Sequence, residues 1–229
     1  MSNTLLRRII AEYIQKTNKM KQLQEQINEA LNQRKTPSTN PKFEIDWNVF
    51  CEKFIDELKR NSVDEVSDVS GIQVICEWIK KGKKSLFLSG SVGNGKTTIA
   101  KALRDAHNHW VDGYIHERLL ANFVTAKQVV GLSMGNEQGK KNEALQNLYK
   151  QNPLVIDDVG AEQTEVNDYG TIKTPLIDLL EHRYLKRYAT IITSNLNIDQ
   201  IKEKYGVRVQ DRINEQYSII GFNQKSFRK

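Results

Sequence analysis

Cysteine is almost missing from this chain: there are two, Cys51 and Cys76, and neither sits in a metal-ligand spacing. That argues against a disulfide framework and suits a reducing cytosol. His107 and His109 form an isolated H-x-H without further ligands nearby, too little for a metal site. Long hydrophobic runs are also absent, since no stretch approaches the roughly 20 apolar residues that a membrane span needs. Arg7 and Arg8 lead only into Ile9-Ile10-Ala11 before Glu12, too short for the apolar centre of a signal peptide. With 27% charged residues and a mean hydropathy of −0.58, the composition predicts a soluble, cytoplasmic protein with no membrane partner.

What remains is one sizeable domain and a small appendage, because 229 residues hardly hold two full domains. The formal net charge is +6. Both ends are basic: residues 1–35 carry seven Lys or Arg against three Glu, and residues 201–229 carry seven against three acids. The middle is slightly acidic. This balance permits nucleic-acid contact without establishing it.

Residues 4–33 contain neither Gly nor Pro, and Leu6, Tyr13, Met20 and Ile27 recur every seven residues, with Ile9, Leu23 and Leu31 roughly midway. Such a stripe predicts a long amphipathic helix in need of a partner. Pro37-Ser-Thr-Asn-Pro41 then reads as a linker. The expected organisation is a helical, partner-binding segment over 1–36, a linker over 37–43 and a catalytic domain over 44–229. Helices are expected from Asp46 to about Lys59 and from about Gly71 to Lys80. Beyond them, five short apolar strands, at Leu86, Asn122, Leu154, Ala189 and Tyr217, alternate with helical stretches. The alternation predicts a parallel sheet covered by helices on both faces. Gly135 to Asn142 reads as a polar loop.

Gly90, Ser91, Val92, Gly93, Asn94, Gly95, Lys96 and Thr97 fill the pattern G-x-x-x-x-G-K-[ST], between a buried strand and a helix that opens at Thr98. Glycines allow backbone N–H groups to turn around a phosphate, and the new helix contributes its free N–H groups and positive end. Lys96 is expected to reach the β- and γ-phosphates of ATP, and Thr97 to hold Mg²⁺. Leu154-Val-Ile-Asp157-Asp158 is a second buried strand, and it delivers carboxylates to the same sheet edge. Asp157 is expected to orient Mg²⁺, and Asp158 to polarise the attacking water. Asn195, after the next strand, is placed to position that water.

Together these elements resemble the AAA+ ATPases and, within them, the DnaC/DnaI helicase-loader and IstB group. The resemblance covers about residues 65–229. It runs through Phe87 to Thr97, Val155-Ile-Asp-Asp-Val-Gly-Ala-Glu162, Leu180-Glu-His-Arg-Tyr184, Thr190 to Leu196, Tyr205-Gly-Val-Arg-Val-Gln-Asp-Arg212 and Ser226-Phe-Arg228. It implies an AAA+ P-loop core with a five-stranded parallel sheet and no C-terminal lid domain. Asn195 then corresponds to sensor 1, and Arg212 to an arginine finger acting on a neighbouring subunit, with Arg208 as the nearby alternative. Arg228 is similar to a sensor 2 arginine contacting nucleotide. Asp158 stands where most AAA+ proteins carry Glu, and its shorter reach implies slow hydrolysis or hydrolysis that waits for a partner.

The resemblance implies a DnaC-like loader that places a hexameric replicative helicase on single-stranded DNA, assembling as a homo-oligomer when it holds ATP. In that group the N-terminal region binds the helicase. The alternatives are an IstB-like transposition ATPase that delivers a transposase, and a nucleotide-binding module that hydrolyses little. DNA contacts are expected in two loops, Leu132–Asn142 with Lys140 and Lys141, and Glu162–Gly170 with Tyr169. Lysines can track phosphates there, and an aromatic ring can stack on a base. Tyr169 could instead pack beneath the following helix.

Overall fold

A computed structural model describes residues 47–61, 69–81, 85–111, 121–134 and 138–222. The N-terminal amphipathic segment, the 37–43 linker and Arg228 lie outside the described residues. The chain proceeds through α1 (Trp47–Asn61), α2 (Val69–Lys80), β1 (Ser85–Gly90), α3 (Lys96–Val111), β2 (Asn122–Thr125), α4 (Ala126–Ser133) and α5 (Gln138–Lys150). It continues with β3 (Leu154–Val159), β4 (Val166–Asp168), β5 (Thr171–Lys173), α6 (Pro175–Leu185), β6 (Thr190–Ser194), α7 (Ile198–Tyr205), α8 (Val207–Gln216) and β7 (Tyr217–Phe222).

Five of these strands form one parallel sheet in the order β2-β3-β6-β1-β7. Side chains alternate across it as the pleat requires. Leu86, Leu88, Val155, Ile191, Ile220 and Phe222 pack beneath α1, α2 and α3. Phe87, Leu154, Ile156 and Ile192 pack against the helices from α4 to α8 on the opposite face. Each central strand therefore buries both faces, which explains why it reads as a continuous apolar run. Cys51 and Cys76 are not joined in a disulfide and are buried within the first of these cores.

The crossovers place the site. From β1 the chain passes over two strands to reach β2, then returns through β3 and β6, and finally crosses to β7 on the far side of β1. The helix after β1 lies on one face, and those after β2, β3 and β6 lie on the other. A crevice opens where connections diverge in this way, at the carboxyl ends of β1 and β6. Register aligns Thr125 with Asp157, Ser89 with Ser194 and Gly90 with Phe222 along that edge.

Local signals account for the helix ends. Thr125 and Gln128 form a capping box at the start of α4, and Asn197 and Gln200 form another at the start of α7. Pro175 occupies the first turn of α6, where its missing N–H costs nothing. Gly206 (φ 90°) closes α7 and opens α8, making a one-residue elbow between them.

Two sequence expectations are corrected. The polar loop of Gly135 to Asn142 is partly helix, because α5 begins at Gln138 and buries Leu148. Lys140 and Lys141 thus sit in its first turn rather than in a loop. The expected loop from Glu162 to Gly170 contains β4, which pairs antiparallel with β5 in a small separate hairpin. Its first residue, Glu162, is buried.

Candidate functional site

The glycine-rich turn leaves β1 at Gly90, whose φ of 145° suits glycine. A Cβ at this position would lie 2.2 Å from the Phe222 carbonyl oxygen and 2.6 Å from Asn94 Nδ2. Only glycine lets the turn press against the last strand. Asn94 fastens the same contact, donating from Nδ2 to Phe222 O at 3.0 Å. Ser91 and Val92 stand exposed at the crest of the turn. Lys96, Thr97 and Thr98 form the first turn of α3, and Ile99 N closes its first helical bond on Gly95 O at 2.9 Å. The N–H groups that precede this bond have no acceptor within the helix, the arrangement that suits an anion.

Lys96 is buried, and its ammonium is folded back into the turn. Its three N–H groups are shared among Gly90 O (2.8 Å), Ser91 O (2.7 Å), Asn94 Oδ1 (3.0 Å) and Asn195 Oδ1 (3.1 Å). Burial lowers its pKa below the ordinary lysine value, while Asp158 and then Asp157 pull the other way. Among the described residues, no carboxylate forms an ion pair with this cation. A phosphate entering the turn supplies the anion it lacks, which is how the pattern fits ATP.

The second carboxylate strand meets the turn beside it. Asp157 is buried, and its Oδ1 accepts from both Thr97 Oγ1 (2.9 Å) and Thr193 Oγ1 (2.6 Å). A hydroxyl and a carboxylate oxygen sharing one locus are a donor set suited to a small hard cation. Thr193 is the residue that sequence reasoning missed. Its hydroxyl also accepts from Asp158 N at 3.0 Å, so one side chain on β6 holds both aspartates. The signal was available in Thr193-Ser-Asn195, where a polar residue ends an apolar strand. Pairing of β3 with β6 shifts register between Ile156 and Val159. That bulge turns Asp158 out to solvent with φ 55°. Asn195 stands exposed at the end of β6, against Lys96.

The structure therefore brings Lys96, Thr97, Asp157, Asp158 and Asn195 to one edge. Arg212 lies apart from them, on α8. It is half-buried, with Cζ 5.0 Å from the Tyr184 ring centroid and Nη1 2.6 Å from Glu181 Oε1. That contact is an ion pair without hydrogen-bond alignment, leaving Nη1 without a hydrogen-bond partner. Arg208 is 76% exposed and lies 3.8 Å from the same carboxylate. The charge partner of Arg212, Glu181, comes from α6, because α8 packs across that helix. Tyr169 occupies the tip of the β4–β5 hairpin with φ 51° and is 76% exposed, so it does not pack beneath α6. Gly170 N donates to Asn167 Oδ1 at 2.8 Å and Lys173 pairs with Asp168 at 2.5 Å, fixing the tip.

A parallel sheet of this order, with a phosphate-type turn after β1 and two aspartates near the end of β3, on the other side of β6, defines an AAA+ P-loop protein. The sequence matches the IstB-like ATP binding protein family over residues 12–229, and the chain belongs to that family. Its fold is similar to the crystal structure of the DnaC helicase loader, with a TM-score of 0.55 and 22% identity over 75% of this chain and 99% of that one. The crystal structure of DnaI is similar to the same degree, with a TM-score of 0.55 and 22% identity over 77% and 93%. The replication initiator DnaA bound to AMPPCP and single-stranded DNA matches with a TM-score of 0.50 and 18% identity, over 74% of this chain and 50% of that one. No curated protein matches the sequence. Among the described residues, no helix is long and apolar enough to cross a membrane.

Proposed function

We propose that this chain is an ATP-hydrolysing switch that grips a hexameric replicative helicase and helps to place it on single-stranded DNA. The observation that carries the ATPase reading is the convergence of Lys96, Asn195, Thr97 and Asp157 through direct hydrogen bonds. In this reading Lys96 leaves its four oxygen acceptors for the β- and γ-phosphates, while the turn from Gly90 to Thr98 wraps the phosphate chain. Thr97 and Asp157 would hold Mg²⁺, which when bound neutralises phosphate charge. Asp158 accepts a proton from the attacking water, and Asn195 orients that water. Arg212 completes the site of a neighbouring copy, so hydrolysis requires a homo-oligomer. Arg228 contacts nucleotide, and the protein works in the cytoplasm.

Two features support DNA as a partner. Tyr169 is held out on a stiffened hairpin, and Lys140 and Lys141 open α5. The N-terminal stripe is read as the helicase-binding element. Family membership favours a second reading, an IstB-like ATPase that assembles on DNA and delivers a transposase.

Helicase capture decides between them. The full chain with ATP is expected to be retained by the replicative helicase of its host, and a variant lacking residues 1–40 is expected to bind ATP yet escape capture. Retention by a transposase encoded beside it, with none by helicase, overturns the loader reading.

A further inference from the structure

The turn after Asp158 is held by side chains that arrive from α7. Glu162 is buried, and both of its carboxyl oxygens are committed. Oε2 accepts from Gly160 N at 3.0 Å, and Oε1 accepts from the hydroxyl of Tyr205, 43 residues further along the chain. Lys204 donates from Nζ to Gly160 O and to Glu162 O, both at 2.7 Å. Ala161 N bonds to Asp158 O at 3.1 Å, and Ser194 Oγ donates to Val159 O at 2.5 Å. Gly160 takes φ 109°, and a Cβ there would come within 2.7 Å of Leu196 Cδ1.

The carbonyl groups of Val159, Gly160 and Glu162 take their donors from β6 and α7, and the amides of Gly160 and Ala161 are satisfied within the turn. That matters because Asp158 holds a left-handed conformation which residues with a side chain seldom keep unless their surroundings over-determine it. Burial, and then the Glu162 carboxyl, push the Tyr205 hydroxyl far above its ordinary pKa, so it remains a donor. Tyr205 is also the last residue of α7, one position before the Gly206 elbow from which α8 carries Arg208 and Arg212.

We infer that Glu162 is a positioning residue of the nucleotide site: its carboxylate holds the Asp158 turn at Gly160 N and, through Tyr205, joins that turn to the elbow that carries Arg212, beside the Lys204 contacts to the turn's backbone. The inference rests on the reading of Asp158 as the carboxylate that receives the water's proton. The hydrogen bonds of Glu162 go to Gly160, Lys204 and Tyr205, outside the glycine-rich turn and Asp157. Its loss leaves the residues proposed to bind ATP intact while the hydrolytic carboxylate drifts.

The test uses the full chain with ATP and single-stranded DNA. Tyr205→Phe and Glu162→Ala are expected to lower kcat about tenfold or more while the KM for ATP stays within about twofold, since misplacement of a catalytic group affects the chemical step and not substrate binding. Glu162→Gln, which keeps one acceptor oxygen, is expected to recover part of the loss. Amide hydrogen exchange without turnover supplies a second readout. In Tyr205→Phe the amides of residues 160–162 and 207–212 are expected to exchange faster, while those of β1 do not change.

An unchanged kcat in Tyr205→Phe overturns the inference, whatever the exchange pattern. So does a fall in kcat that is matched by a rise in KM and faster exchange throughout, which is loss of fold. If the parent protein binds ATP without hydrolysing it and Asp158→Asn behaves identically, the reading of Asp158 fails instead. Exchange at residues 207–212 then decides alone whether the turn and the elbow are joined.

Discussion

Lys96 Nζ donates to Asn195 Oδ1 across 3.1 Å, so the cation of the glycine-rich turn is held by the residue that ends the neighbouring strand. Neither side chain is poised for its proposed task while this bond exists. On the proposed reading, an incoming phosphate draws the ammonium away and releases Asn195 Oδ1 for a water, which makes nucleotide entry and water positioning two ends of one hydrogen-bond exchange.

Lys96 and Asp158 are expected to fail differently. Lys96→Ala should weaken ATP binding about tenfold or more, the usual worth of a hydrogen bond to a charged group. Asp158→Asn should bind ATP normally and slow hydrolysis by about 10²-fold, the lower end of general-base contributions. Equilibrium binding of a fluorescent ATP analogue and single-turnover hydrolysis separate the two. An Asp158→Asn protein as fast as the parent would remove Asp158 from catalysis.

The lowered pKa of Lys96 predicts a pH effect with a definite sign. Its folded value lies below the ordinary 10.5, so just beneath 10.5 the unfolded chain binds the extra proton. Stability therefore rises with pH through that window. Phosphates favour the ammonium, so ATP binding takes up a proton in the same window, and affinity falls as pH rises through the free protein's value. Titration calorimetry at alkaline pH, in two buffers of different ionisation enthalpy, should show this uptake, and Lys96→Arg should abolish it. Equal heats in both buffers for the parent would contradict it.

Arg183 should be a pillar of stability rather than of catalysis. It is fully buried, and donates to Thr190 Oγ1 (2.8 Å), Gln151 O (2.6 Å), Ala189 O (2.6 Å) and Leu148 O (3.4 Å). Burial pushes its pKa down to about 10, with Tyr217 and Tyr188 opposing. Arg183→Met leaves buried carbonyls short of a donor and should cost about 3 kcal/mol, read from urea unfolding. ATP affinity of the folded fraction should not change.

The Arg212 guanidinium should act between copies. Its present partner is Glu181, half-exposed on α6, a pairing that a neighbouring site can replace. Mixing Arg212→Ala with Lys96→Ala protein should restore hydrolysis that neither variant has alone, because each supplies what the other lacks. Co-assembly without recovered turnover would assign Arg212 to the α6–α8 contact only.

Single-stranded DNA binding should weaken in a Lys140→Ala/Lys141→Ala/Tyr169→Ala variant. If both lysines contact phosphates, the salt dependence of log K should fall by about 1.4, from about 0.7 per phosphate on single strands. Loss of stacking by Tyr169 should subtract about 1–3 kcal/mol independently of salt. Unchanged affinity and slope would exclude these residues.

The three inner strands of the main sheet were legible because each is an apolar run closed by a turn, as burial on both faces demands, and the edge strands because Phe123-Val124 and Ile219-Ile220 stand between polar segments. Lys96, Thr97 and Asp157 were legible for a related reason, since the chemistry at a strand's carboxyl end is written within a few residues. The β4–β5 hairpin was not, because three-residue strands are too short to show alternation. Only Asn167-Asp-Tyr-Gly170 marked its turn. The start of α5 was hidden by Gly139 and its polar neighbours, with Leu145 and Leu148 as the sole helical spacing. Contacts between Glu162 and Tyr205, or Arg212 and Glu181, join distant segments, so they follow from packing and not from any local pattern.

Asn94 touches both ends of the story with one amide. Its Oδ1 accepts from Lys96 and its Nδ2 donates to Phe222 O, so the side chain works as a tension rod between the ammonium and the final strand. On the proposed reading, departure of Lys96 to a phosphate slackens the rod at one end only, so the seat for nucleotide and the last strand of the sheet share a single side chain.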